Sequence, residues 1–251
     1  MPVKFYSEYA LSGHLEELGF ANGIDVVIHS SLLSFGKVSL GAKTFLDSIL
    51  DIIGPKGTVF VPSFTFDSHI PFDVSVEPPK SNGALSNLIF NQQDCIRSGN
   101  YLHSYIGLGP KAKLLKQVKI DQSYGKDSFF EMAINNGMRW VMLGADINSG
   151  CTLLHHIEYL ARVPYRGSIE LTRKVKLKNA AVTECAYDYF ARLNDAYSQN
   201  FQACLPILTK NNILNKAIAP YGVSYAGLAN EIQLEVLKLL DKDPFFLVKK
   251  I

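Results

Sequence analysis

Long apolar runs are missing from this 251-residue sequence. Nowhere do about 18 apolar residues stand together, which argues against a membrane-spanning helix. The opening residues, Met1-Pro2-Val3-Lys4-Phe5, carry no apolar leader-like segment, so a cytoplasmic chain is expected. Cysteine is scarce: four residues, at 95, 151, 185 and 204, show neither C-x-x-C spacing nor a dense framework. That excludes a disulfide scaffold and fits a reducing compartment. No excess of one charge exists, since 25 basic residues face 23 acidic ones for a net +2. A strong basic field for nucleic acid is therefore absent, and neither nucleic acid nor a membrane is expected as a partner. Repeats, low-complexity tracts and Gly/Pro/Ser-rich linkers are also lacking. The remainder, 47% hydrophobic and 19% charged, suffices for one sizeable core. A single domain over 1–251 is expected, with a motif-bearing part over 1–166 and a β-rich and helical part over 167–251.

Local patterns give the fold class. Val26 to His29 reads as a buried strand, Lys43 to Ile53 as a helix stopped by Gly54-Pro55, and Thr58 to Val61 as a second strand. Short helices are predicted over Leu85 to Phe90, Pro110 to Gln117 and Phe129 to Asn136, and a strand over Arg139 to Leu143. Ser63 to Ser81, with Pro71, Pro78 and Pro79, reads as a long ordered loop of the functional kind. Ile169 to Leu177 and Val182 to Tyr187 read as an antiparallel pair, and Ala219 to Val223 as one more strand. Ser224 is placed to cap a last helix whose apolar face carries Leu228, Ile232, Val236 and Leu239. These readings predict an α/β fold: a central mixed sheet flanked by helices, with a C-terminal antiparallel β addition.

Chemistry concentrates in four clusters. In Gly150-Cys151-Thr152-Leu153-Leu154-His155-His156-Ile157-Glu158, His155 and Glu158 stand three apart and share a helix face. A carboxylate there orients an imidazole for general-base work. His156 points about 100° away and reads as a packing residue. Thr152 stands one turn earlier on the same helix. His29-Ser30-Ser31-Leu32-Leu33-Ser34-Phe35-Gly36-Lys37 supplies hydroxyls and a cation at a strand-to-helix turn, although P-loop spacing is absent. The others are Arg97-Ser98-Gly99-Asn100-Tyr101-Leu102-His103-Ser104 and Tyr124-Gly125-Lys126-Asp127-Ser128. His14 reads as a surface residue of an N-terminal helix.

Taken in this order, the clusters resemble the aminoglycoside 3-N-acetyltransferase family. The matching elements are H-S-S-x-x-x-x-G over His29 to Gly36, G-A-x-T over Gly41 to Thr44, and Gly54 to Thr65 with Pro62-Ser63-Phe64-Thr65. Arg97 to Ser104, Tyr124 to Ser128, and Leu143 to Glu158 followed by Tyr165-Arg166 complete the set. Tyr101 stands where the family usually has Pro, and Phe129 stands where a Pro usually follows Ser. The resemblance implies a CoA-dependent N-acyltransferase, using acetyl-CoA or a short hydroxyacyl-CoA and no metal. It further implies His155 as base with Glu158 and Thr152, and a CoA channel lined by Ser30, Ser31, Ser34, Gly36, Lys37, His103 and Ser104. Phe64, Thr65, Asp67, Glu77 and Arg97 are candidates for the acceptor.

The acceptor itself is read from charge. Between Ser63 and Ser98 only Asp67, Asp73, Glu77 and Asp94 face Lys80 and Arg97, a weak acidic field for a polycationic aminoglycoside. An anionic acceptor fits better, and the resemblance extends to relatives that acylate nucleotide-linked (dTDP-type) amino sugars for surface polysaccharide. That acceptor is expected, with an aminoglycoside as the alternative. A thioester hydrolase would use the same residues, and a non-catalytic nucleotide-binding protein would need none of them. Cys151 lies near the site, but direct transfer needs no covalent intermediate. Self-association is the default for an enzyme of this size.

Overall fold

Apolar side chains that alternate along a strand need cover on both faces of a sheet, and this chain provides it. The computed structural model describes residues 5–39, 41–176 and 181–251. The first half runs β1 (Phe5–Tyr6), α1 (Glu8–Glu17), β2 (Asp25–Ser30), β3 (Lys37–Val38), α2 (Ala42–Ile53), β4 (Thr58–Pro62) and α3 (Ala84–Phe90). There follow β5 (Ile96–Arg97), β6 (Tyr105–Leu108), α4 (Phe129–Asn135), β7 (Arg139–Leu143), α5 (Ile147–Gly150) and α6 (Thr152–Ala161). The rest comprises β8 (Arg166–Lys176), β9 (Val182–Arg192), β10 (Tyr197–Gln199), α7 (Leu205–Lys210), β11 (Asn215–Ala219), β12 (Gly222–Leu228), α8 (Ala229–Lys242) and β13 (Val248–Lys250).

Seven strands form the central sheet in the order β11-β12-β7-β2-β4-β6-β5. β2 is parallel to both β4 and β7, while the outer pairings are antiparallel. One face presents Val27, Phe60, Trp140 and Met142, packed with residues of α4, α6 and α8. The other presents Val26, Ile28, Val59, Val61, Val141 and Leu143 beneath α1 and α2. From β2 the chain crosses to β4 on one side, whereas β7 lies on the other. A crevice therefore opens beyond the carboxyl ends of β2 and β7, where ligands of open α/β sheets bind. The predicted mixed sheet with flanking helices is observed, and β8 and β9 form the added antiparallel hairpin.

Pro110–Gln117 is helical as expected, in the 3-10 form. Other local expectations need correction. The apolar stretch Ala219 to Val223 is no single strand, because Pro220-Tyr221 turns the chain between β11 and β12. Ser224 lies within β12 and caps nothing: its hydroxyl meets His14 Nε2 at 2.8 Å and accepts the Gly144 N–H at 2.9 Å. His14 is thus a buried residue of α1, not a surface one. The predicted strand end at Leu177 lies outside the described residues.

The long loop after β4 is held from below by the added hairpin. Arg173 of β8, 3% exposed, donates Nη1 to the carbonyls of Thr65 and Tyr101 at 2.6 Å each. Its Nη2 reaches the carbonyls of Asp67 and Ile70 at 3.2 and 3.1 Å. One planar fork thereby satisfies four carbonyls, which a lysine ammonium cannot span. Arg173→Ala is expected to cost about 2–4 kcal/mol of unfolding free energy in urea, with Arg173→Lys recovering little of it. A loss below about 0.5 kcal/mol for both would contradict this role.

Candidate active site

Strand β7 delivers the chain to Gly144, whose φ of +65° turns it sharply beside the serine-rich segment. A Cβ at Gly144 would lie 2.7 Å from Ser34 Cβ and 2.9 Å from the Ser31 carbonyl, so only glycine allows this approach. Helix α6 then starts at Thr152, and Arg162, with φ 52°, ends it in the left-handed region. That turn brings Tyr165 and Arg166 back against the helix.

Here the His-x-x-Glu spacing acquires geometry. His155 Nδ1 stands 2.6 Å from Glu158 Oε2. Because a carboxylate accepts only, Nδ1 carries the proton and Nε2 keeps a lone pair. Glu158 is fully buried, takes the Tyr165 O–H on Oε1 at 2.8 Å, and lies 3.0 Å from Arg166 Nε. Burial lowers the His155 pKa below its ordinary value, and Glu158 only partly opposes this. His155 is consequently a free base at neutral pH.

His155 and Thr152 open into a cleft of about 410 Å³ that Phe66, His103, Arg166 and Arg192 also line. His156 faces away: it stacks on Phe130 at 5.6 Å and accepts the Gly125 N–H on Nδ1 at 3.2 Å. It is the packing residue expected from its position. Cys151 is buried, and burial together with neighbouring Cys204 pushes its thiol up to about 12. A thiolate nucleophile is therefore not available there.

The predicted CoA residues divide. Ser30, Ser31, Gly36 and Lys37 line a second cavity of about 510 Å³, which reaches Gly41 and Ala42 at the N-terminus of α2. Open hydroxyls, a lysine and free backbone N–H groups fit the pyrophosphate of a CoA molecule. Ser34 does not join them: its hydroxyl donates to the Gly144 carbonyl at 2.6 Å and it lines a separate cavity. His103 belongs to the His155 cleft, held by Ser123 at 2.8 Å. Ser104 is fully buried, donates to the Ser63 carbonyl at 2.6 Å and lines neither cavity.

The predicted acceptor residues are corrected more heavily. Arg97 donates to the carbonyls of Asp73, Val76 and Ser63, and to the hydroxyls of Ser63, Thr65 and Ser104. Both Arg97 and Thr65 thus hold the loop in place. Phe64 is buried against His103 and Tyr105. Asp67 and Glu77 are exposed and lie outside the cleft lining, the Asp67 carboxylate capping the His69 N–H at 2.9 Å. Phe66, missed in the sequence, is the loop residue that reaches the cleft. Tyr189, Arg192 and Asp195 arrive from the end of β9 and the turn after it, where no sequence motif marked them.

Comparison with known proteins follows this geometry. The family model for aminoglycoside 3-N-acetyltransferases matches residues 27–219. Aminoglycoside N(3)-acetyltransferase IX of Micromonospora chalcea is 29% identical over 171 residues, 59% of this chain and 60% of that protein. The chain spans about 60% of the length of the first curated relatives it matches. The structure of AAC-IIIb as a binary complex with CoASH superposes with a TM-score of 0.83 at 22% identity, covering 95% of this chain and 97% of that one. Sisomicin-bound AAC-VIa gives 0.79 at 18% identity over 95% of this chain and 99% of its own. At those identities the likeness is one of fold.

Five of the six histidines, at 14, 29, 103, 155 and 156, have lowered pKa values because burial penalises the charged ring. His156 falls to about 4, and His29 and His103 to about 3. Below about pH 6.5 the unfolded chain binds protons that these native rings refuse, so stability is complete above that pH and declines toward pH 3. His29 and His103 should each remove up to about 1.4 kcal/mol per pH unit, read from urea titrations at about pH 7, 6 and 5. Stability that is flat or rising over that descent would contradict the burial of neutral imidazoles.

Proposed function

The chain belongs to the aminoglycoside 3-N-acetyltransferase family, and from that premise we propose that it transfers an acyl group from acyl-CoA to an amine of an amino sugar. The observation that carries this reading is the 2.6 Å contact between His155 and a buried Glu158, with His155 lining an open cleft. An ammonium has no lone pair, so the acceptor binds as free amine or loses a proton first. Bound acyl-CoA supplies an activated carbonyl carbon: the amine nitrogen bonds to it, the C–S bond breaks, and the thiolate leaves with the electron pair. His155 Nε2 takes the proton released from nitrogen and returns it to the departing sulfur. Glu158 steadies the imidazolium that exists in between. Thr152 donates its O–H to the acyl oxygen as negative charge grows there.

An aminoglycoside acceptor is the reading that the relatives support, and it replaces the nucleotide-linked amino sugar expected from bulk charge. None of the relatives described above is named for a nucleotide-linked acceptor. The cleft presents Arg192 and Asp195, with Arg166 already paired to Glu158, so its charged groups nearly balance and do not oppose the aminoglycoside reading.

His155→Ala is expected to lower acyl transfer at least about a thousandfold while CoA binding, measured by calorimetry, stays within about threefold. Turnover within a few fold of wild type would remove His155 from the base role. Lys37→Ala should raise the KM for acyl-CoA and leave the acceptor KM unchanged. An effect confined to the acceptor would move Lys37 out of the CoA cavity.

A further inference from the structure

We propose that Tyr105 is a positioning residue for acyl transfer: its hydroxyl, anchored by His29, orients Thr152 so that the threonine proton points into the cleft. This rests on the role given to Thr152 above. Tyr105 is fully buried in β6, and no motif marked it. Its hydroxyl lies 3.0 Å from Thr152 Oγ1 and 3.2 Å from His29 Nε2. Both rings are fixed by stacking, Tyr105 on Phe129 at 3.6 Å and His29 on Trp140 at 5.2 Å. The three groups form a chain running from the sheet to the edge of the cleft, where Thr152 faces solvent beside His155.

The direction of that chain decides what Thr152 offers. Burial keeps the His29 ring neutral, so it has one N–H to place. With the proton on Nε2, His29 donates to Tyr105, Tyr105 donates to Thr152, and the Thr152 proton is free for the acyl oxygen. With the proton on Nδ1, Tyr105 donates back to His29 and Thr152 donates to Tyr105. The cleft then meets only a threonine lone pair, which repels developing negative charge. Burial keeps the phenol protonated, and its single O–H cannot serve both neighbours, so the His29 tautomer sets the sense. We assign the proton to Nε2, with Tyr105 donating to Thr152. Successive donors also polarise one another, strengthening the last O–H. Of the three groups only Thr152 lines the cleft, so Tyr105 acts through it.

The test is a cycle of four enzymes: wild type, Tyr105→Phe, Thr152→Val and the double variant. Phenylalanine keeps the ring stack and removes one oxygen. A whole oxyanion donor is worth about 10²–10³ in kcat. Losing its orientation should lower kcat about tenfold, with both KM values within about twofold. In the Thr152→Val background Tyr105→Phe should change kcat less than about twofold, whereas Thr152→Ser should keep the full sensitivity. Nitrogen-15 NMR of the wild-type His29 ring should find the proton on Nε2. Equal losses in both backgrounds, a loss in KM alone, no loss, or a proton on Nδ1 would each overturn the proposal. Absence of turnover by wild type would count against the acyltransferase reading alone, since the His29 tautomer still decides the direction of the chain.

Discussion

A carboxylate with no access to water, Glu158, constrains everything around it. An ionised group in a protein interior persists only when every oxygen finds a partner. Here the partners come from both directions along the chain. His155, one helical turn earlier, takes one oxygen, and Tyr165 and Arg166, just past the end of α6, complete the set. The left-handed residue Arg162 makes this return possible, because it reverses the chain before β8 begins. Removing the carboxylate would strand a guanidinium and a phenol as well as an imidazole. His155 is therefore part of the joint between helix α6 and hairpin β8–β9.

Burial does a second kind of work in the site. It keeps imidazoles neutral at the pH where a base must accept a proton, and it raises the Cys151 thiol out of reach. Tyr165, beside Glu158, is likewise held in its protonated, donating form. The same dry interior makes the polar chain from His29 to Thr152 directional, since no competing solvent is required to satisfy its members. The serine-lined cavity differs: Ser30, Ser31 and the N-terminus of α2 border an open space suited to a ligand that brings its own charge. Two neighbouring loops, after β2 and after β7, thus present a wet and a dry half. Gly144 lets them touch.

How much of this was legible depended on sequence distance. Arg139–Leu143 was read as a strand end for end, because its period and boundaries are local. The approach of His155 to Glu158 follows from helix geometry alone, and the structure confirms that proximity. Groups joined across the fold were not legible. Tyr105 meets Thr152 from 47 positions away, and Arg173 meets Thr65 from 108. Residue type misled for the same reason. Arg97, Thr65 and Ser104 have the side chains of ligand-binding groups, yet their partners lie in the loop and strands around them. Tyr221 and Ser224 show the local limit: an apolar stretch read as one strand contains a turn, and the serine beyond it serves β12.

Amine-dependent release of CoA thiol is the most direct measure of the central claim. The purified chain would be given acetyl-CoA alone, and then acetyl-CoA with an aminoglycoside such as sisomicin. We expect thiol release only when the amine is present, with one N-acylated product formed for each thiol. Release at the same rate without the amine would make the protein a thioester hydrolase. Absence of release with an aminoglycoside and with an anionic amino sugar alike would contradict the acyltransferase account altogether.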